Sequence, residues 1–420
     1  MILPVTQNNV LVTGMGACTP IGVGLNEFSQ SLMNGSTNFS TTEFKEHDKE
    51  FIYPIAELEN FNFKKSVNEF ILDDPIVDKI KYLRNVSKSI GSGLFCAIEA
   101  WYDSELNRSD VDLDKVAIVS SGTNIQQAYH QEVRKKYQDK VHFINPNYGF
   151  NFFDTDVIGV LSELLEVNGE GHVVGASSAS GNMSIIQGVR LIRNNEYDVV
   201  IVVAPVMDLS IYEFQGFTAL GAMARVDKLS PNEICRPFDS LRKGFVYGQS
   251  AACLILESEK HATARRKKAH GVIAGYGVNL DGNRNPNPSS EGEKKAMIKA
   301  MKSANVSPSD IRYINTHGTA SISGDTAEIE ALIGSGLSGI KANSTKSLIG
   351  HSLSASGVIE TVATLLQMQQ GYLHPCHNLS NPITDKIQWV LNSKQSLMHS
   401  YAINNNFGFG GINTSIVIKK

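Results

Sequence analysis

The sequence predicts an α/β protein with mixed sheets. Two observations carry that prediction. Short apolar runs alternate with helix-sized amphipathic segments along the 420 residues, and small or polar residues gather where strand candidates turn into helices.

The elements follow in order. Asn9-Val-Leu-Val-Thr13 is β-rich, and the glycine-rich segment Gly14 to Gly22 after it reads as a loop. Val116-Ala-Ile-Val, Val173-Val, Val199-Val-Ile-Val-Val, Ala251-Ala-Cys-Leu-Ile-Leu, Tyr313-Ile and Ile416-Val-Ile are the further strand candidates. Three of the junctions share one form. Val173-Val enters Gly175-Ala-Ser-Ser-Ala-Ser-Gly181, followed by Ile185, Ile186, Val189 and Ile192 at helical spacing. Tyr313-Ile-Asn enters Thr316-His-Gly-Thr-Ala-Ser321 before a helix through Glu328, and Ser344-Thr-Lys-Ser-Leu-Ile-Gly-His351 precedes a helix carrying Val358, Val362, Leu365 and Leu366. Open α/β sheets place ligands at such junctions, where helix N-termini and strand ends converge. One site built from three loops is therefore expected. The basic stretch Arg265-Arg-Lys-Lys268 marks a boundary, dividing residues 1–258 from 259–420.

Composition narrows the function. Hydrophobic residues make up 42% and charged residues 19%, as in ordered globular chains. A net charge of −4 argues against nucleic acid as the main partner, which calls for a basic face. A cytoplasmic location is expected. Residues 1–20 lack a basic region followed by an unbroken apolar stretch, being interrupted by Gln7, Asn8 and Asn9. No apolar run reaches the roughly 18 to 20 residues that cross a bilayer. The five cysteines, Cys18, Cys96, Cys235, Cys253 and Cys376, are widely spaced and form no CxxC pair. They read as small buried apolar residues, and Cys376-His377 has no second pair nearby to complete a metal site.

A single loop histidine such as His317 is as readily structural as catalytic. His351, preceded by Lys346, adds a second ionisable loop of similar design and shifts the balance toward a site. Asn405-Asn-Phe-Gly-Phe-Gly-Gly-Ile-Asn413 permits a tight turn and close backbone approach to a ligand. It matches neither GxGxxG nor a P-loop, which disfavours nucleotide binding.

In order and spacing, Asn315-Thr-His-Gly-Thr-Ala-Ser with Gly324-Asp325, then Ser344-Thr-Lys-Ser-Leu-Ile-Gly-His, then Asn405-Asn-Phe-Gly-Phe-Gly-Gly-Ile-Asn resemble the three C-terminal signatures of β-ketoacyl-carrier-protein synthases. Val12-Thr-Gly-Met-Gly and Cys235-Arg-Pro-Phe-Asp-Ser-Leu-Arg-Lys-Gly-Phe-Val resemble family segments too. The resemblance implies a thiolase-like fold: two similar halves with mixed sheets, stacked as five αβαβα layers, forming a homodimer. It also implies that the nucleophilic cysteine of an Ala-Cys-x-Ser-Gly pattern is replaced, since Ser177-Ser178-Ala179-Ser180-Gly181 puts Ser178 at that position.

That replacement bears on the chemistry. A cysteine at a helix N-terminus loses its proton readily, whereas a serine needs an adjacent general base. The family mechanism uses neutral His317 and His351 as donors to the malonyl thioester oxygen, and a nitrogen that donates there cannot also deprotonate Ser178. Loss of CO2 needs only those donors. The resemblance therefore points to decarboxylation of malonyl-carrier protein to acetyl-carrier protein, as in the Cys-to-Ser ketosynthases of polyketide β-branching cassettes. The alternatives are an acyltransferase or condensing enzyme using Ser178 as nucleophile, and a non-catalytic partner subunit like a chain-length factor.

By the same resemblance, Lys346 supports His351, Thr319 and Ser321 contact phosphopantetheine, and Phe409 forms the gate and oxyanion hole. Asp325, Glu328 and Glu360 would organise the site without touching substrate. No bound cofactor or metal is implied, because the phosphopantetheine arrives on the acyl carrier protein. Lys243 stands where the family has an acid, and Gln249-Ser250 where it has acid-Gly. Lys79, Lys81, Arg84 and Lys88 read as a solvated helix face, with carrier-protein docking as a second reading.

Overall fold

The computed structural model describes residues 9–46, 48–71, 74–226, 228–283 and 287–420; Gln7 and Asn8 lie outside the described residues. The main element is a 12-stranded mixed sheet. Along the chain its principal strands are β1 (Val10–Thr19), β2 (Val116–Ser121), β3 (Gly171–Val174), β4 (Val199–Ala204), β5 (Ala251–Ser258), β6 (Gly271–Leu280), β7 (Tyr313–Asn315), β8 (Lys341–Asn343), β9 (Gln388–Trp389), β10 (Tyr401–Gly408) and β11 (Ile412–Lys419). Their spatial order is β9-β8-β7-β10-β11-β6-β1-β5-β4-β2-β3.

That order contains a repeat. β3-β2-β4-β5-β1 and β8-β7-β10-β11-β6 follow one pattern. β2 runs parallel to β3 and β4, as β7 does to β8 and β10. β5 and β11 are antiparallel to both their neighbours. The halves join where Val10 to Val12 pair with Gly271 to Ile273.

The long helices of the other layers are α1 (Lys88–Asp103), α2 (Ser180–Arg193), α3 (Ser290–Ser303), α4 (Ile322–Gly334) and α5 (Ser356–Gln370). Alternate residues of β4 face opposite ways, so both faces of the sheet must be covered. Val200 and Val202 share the central core with Ile185 and Val189 of α2 and Val358 and Val362 of α5. Val199, Ile201 and Val203 pack with Ile90, Leu94 and Ile98 of α1 on the outer side. In the other half, Met297 of α3 and Leu332 of α4 cover Ile314 and Val417. The result is the expected αβαβα stack.

One expectation is corrected. Gly14 to Thr19 is not a loop; β1 continues through it, with a bulge between Val12 and Gly14. The glycines serve packing, not a turn. A Cβ on Gly14 would fall 2.1 Å from the Ala100 carbonyl oxygen, and one on Gly16 would fall 2.0 Å from that of Cys96. Only a bare backbone lets α1 lie this close to the strand.

All five cysteines are buried and free, as expected. The basic cluster engages in local ion pairs: Lys79 with Glu166 at 2.6 Å, Lys81 with Asp78 at 2.7 Å and Lys88 with Glu57 at 3.6 Å. No described helix is long and apolar enough to cross a membrane.

Candidate active site

The two central helices begin in the same way, and this positions the site. Ser178-Ala-Ser-Gly181 opens α2 and Ser354-Ala-Ser-Gly357 opens α5, each as a short 3-10 turn running into the helix. The residue before each tetrapeptide is left-handed, Ser177 at φ 53° and Leu353 at φ 49°. Such geometry persists only where surroundings hold it. At Ser177 the brace is Ser180, whose Oγ accepts from Ala176 N at 2.8 Å and donates to Ser177 O at 2.7 Å. Gly181 and Gly357 let the helices touch backbone to backbone, a Cβ on Gly181 falling 2.7 Å from Gly357 N. Both N-termini thereby reach one place. This internal repeat is visible in the sequence as a four-residue identity, Ser-Ala-Ser-Gly.

Ser178 and His351 meet there, Oγ to Nε2 at 2.9 Å. The other ring nitrogen settles the direction of that bond. His351 Nδ1 accepts the backbone N–H of Leu353 at 3.2 Å, with Ser356 Oγ 3.0 Å away. An N–H donor requires a lone pair on Nδ1, so the proton of the neutral ring sits on Nε2 and points at Ser178. Burial, and then the Lys346 charge, hold His351 well below the ordinary histidine range, so the ring is neutral.

His317 follows β7, with its ring centroid 5.5 Å from that of His351 and 5.4 Å from that of Phe407. Burial first, then Lys346 and His351, hold it neutral too. Its loop hangs on two buried carboxyls. Glu328 accepts from His317 N and Gly318 N, both at 2.8 Å, and Asp325 accepts from Ala320 N at 3.1 Å and Phe238 N at 2.6 Å. Lys346 is 1% exposed and bonds Glu360 at 2.5 Å, while Asn406 donates to the other Glu360 oxygen at 2.9 Å.

A tunnel of about 320 Å³ leads from the surface to Ser178, His317 and His351. Thr319 and Ser321 stand in its wall, their hydroxyls 3.0 Å apart, and Ser321 also caps α4 by accepting from Gly324 N. Phe409, at the tip of the β10–β11 hairpin, lines the tunnel with its ring 6.3 Å from Phe217. The residues singled out from sequence thus converge, either on the tunnel or directly behind it. Four tunnel residues, Phe217, Leu220, Asp281 and Glu293, come from segments without a motif, and the sequence carries no signal for them. Lys243, which stands where the resemblance implies an acid, also lines the tunnel.

Comparison with known proteins agrees with this geometry. Residues 7–262 match the beta-ketoacyl synthase N-terminal domain and residues 270–380 the beta-ketoacyl synthase C-terminal domain. The chain is 38% identical over 412 residues to the polyketide biosynthesis malonyl-ACP decarboxylase PksF of Bacillus subtilis (strain 168), covering 98% of this chain and 96% of that one. It is 28% identical to a 3-oxoacyl-[acyl-carrier-protein] synthase 2 of Staphylococcus aureus, covering 99% of both. Among solved structures, the ishigamide ketosynthase/chain length factor superposes with a TM-score of 0.86 at 23% identity, over 99% of this chain and 100% of the other. A type II PKS ketosynthase in complex with its acyl-carrier protein superposes with a TM-score of 0.85 at 24% identity, over 99% and 100%.

Proposed function

The chain belongs to the β-ketoacyl synthase family, and from that premise we propose that it converts malonyl-ACP to acetyl-ACP and CO2 in polyketide biosynthesis, at the β-branching stage. One observation carries the reading. Leu353 N–H donates to His351 Nδ1, which assigns the proton of the neutral ring to Nε2, the nitrogen facing Ser178, so on this reading the histidine acts as a donor and not as a base for Ser178. The hydroxyl stays protonated and a poor nucleophile, which disfavours acyl transfer through it.

Decarboxylation uses what remains. The malonyl thioester oxygen sits between His317 and His351, and the C–C bond to the carboxylate breaks with release of CO2. The two neutral imidazoles hold the resulting enolate oxygen as charge develops. Cα then takes a proton from solvent to give the acetyl thioester. Lys346 and the α2 N-terminus add positive potential. Thr319 and Ser321 steady the phosphopantetheine, which the carrier protein brings, so the chain needs no bound cofactor. Phe409 gates the tunnel, its amide contributing to the oxyanion site, and Asp325, Glu328 and Glu360 fix the loops from behind. Exposed Phe143, Phe150, Phe152 and Phe153 and the place of β3 at the edge of the sheet among the described residues support a homodimer. A cytoplasmic location fits a carrier-protein substrate.

The test is incubation with malonyl-ACP followed by intact-mass measurement. Acetyl-ACP should accumulate with no acyl adduct on the protein; an adduct mapped to Ser178 would favour acyl transfer instead.

A further inference from the structure

Glu293, in the first turn of α3, lines the tunnel yet is 1% exposed. Its Oε2 is buried with no hydrogen-bond partner among the described residues. Buried polar atoms are nearly always paired, and an unpaired one costs stability. A ligand group entering the tunnel and reaching this carboxyl would complete it. Burial, and after it the facing acids Glu328, Asp281, Asp325 and Glu330, push its carboxyl well above the usual carboxylate range. It is therefore a neutral acid, able to donate through O–H and accept through C=O at once. A secondary amide offers the complementary pair, and the pantetheine arm carries two. An anionic portion of the substrate is a poorer match, because acids crowd this wall.

We propose that Glu293 is a further substrate-binding residue, its carboxyl hydrogen-bonding an amide of the pantetheine arm in the tunnel that Thr319 and Ser321 also line. The inference rests on the carrier-protein reading above and adds a contact that none of the family motifs contains.

Calorimetric titration with pantetheine itself tests it without turnover, so a failure of decarboxylation and a failure of this contact are read separately. Glu293→Gln keeps a donor and an acceptor and should bind within about twofold of wild type. Glu293→Leu should bind about fivefold more weakly, the equivalent of one neutral hydrogen bond. It should also melt no lower than wild type, since an unpaired buried acid is removed. With malonyl-ACP, Glu293→Leu should raise KM by a similar factor and leave kcat unchanged. Malonyl-pantetheine and malonyl-N-acetylcysteamine then locate the contact. Sensitivity to Glu293→Leu with both puts it at the amide next to the thioester, and sensitivity with the first alone puts it at the far amide. Equal binding by wild type and Glu293→Leu, or a folded Glu293→Gln as weak as Glu293→Leu, overturns the proposal.

Discussion

On the proposed mechanism, a hydroxyl in place of a thiol at position 178 leaves the decarboxylating half of the chemistry, and a backbone N–H two residues beyond His351 sets the tautomer that half uses. With Leu353 N bonded to Nδ1, the imidazole presents N–H to the pocket, which suits an enolate and not a nucleophile awaiting deprotonation. Ser178→Ala should therefore leave decarboxylation largely intact. His317→Ala and His351→Ala should each cut kcat by about 10²–10³, the cost of one oxyanion donor. Equal rates in all three, measured as acetyl-ACP formed, would remove the proposed roles. The pH profile gives an independent check. Both rings stay neutral where an ordinary histidine titrates, near pH 6.5, because burial and Lys346 depress them. The kcat profile should thus show no histidine limb between pH 6 and 8.

At the level of elements, glycines set the distances. Gly16 brings β1 against α1, and Gly181 with Gly357 brings α2 against α5. Gly16→Ala pushes a methyl into the Cys96 carbonyl oxygen and should cost about 1–3 kcal/mol or more, lowering the thermal midpoint. Gly216, in the helix Ile211–Ala219, has nothing within 4 Å of its would-be Cβ. Gly216→Ala should stabilise by about 0.5–1 kcal/mol through helix propensity alone. A calorimetric scan of both variants separates glycine as a packing device from glycine as an ordinary surface residue. The same distinction explains why Gly14 to Thr19 is strand and not loop. Glycine-rich sequence signals a turn when only local conformation is weighed, and a close crossing when a helix covers the strand.

At the scale of the whole molecule, several acids are buried. Burial, the largest cause in each case, raises Glu99, Asp325 and Glu328 to about 7, and the buried thiols are raised as well, Cys235 and Cys376 to about 12. From about pH 4.5 up through 7 the native acids therefore hold protons that the unfolded chain has released, and the thiols do so from about pH 9 upward, so the stability these groups contribute falls as pH rises through both windows and is still falling between pH 7 and 8.5. The depressed histidines act in the opposite direction, but chiefly below pH 6.5, where the unfolded chain begins to protonate them. The thermal midpoint should be higher at pH 7 than at pH 8.5; a flat or rising trend toward pH 8.5 would contradict the burial of these groups. The sequence by itself determined the alternation of strands and helices and the three loops, because periodicity and motif spacing are local properties of the chain, and the family resemblance of those loops is what implies a serine in place of cysteine at position 178. Only the tertiary structure decided the protonation site of His351, the path of β1 through its glycines and the membership of Glu293 in the tunnel. Each of these depends on atoms brought together by helix crossings or turns, and no local pattern encodes which buried oxygen is left without a partner.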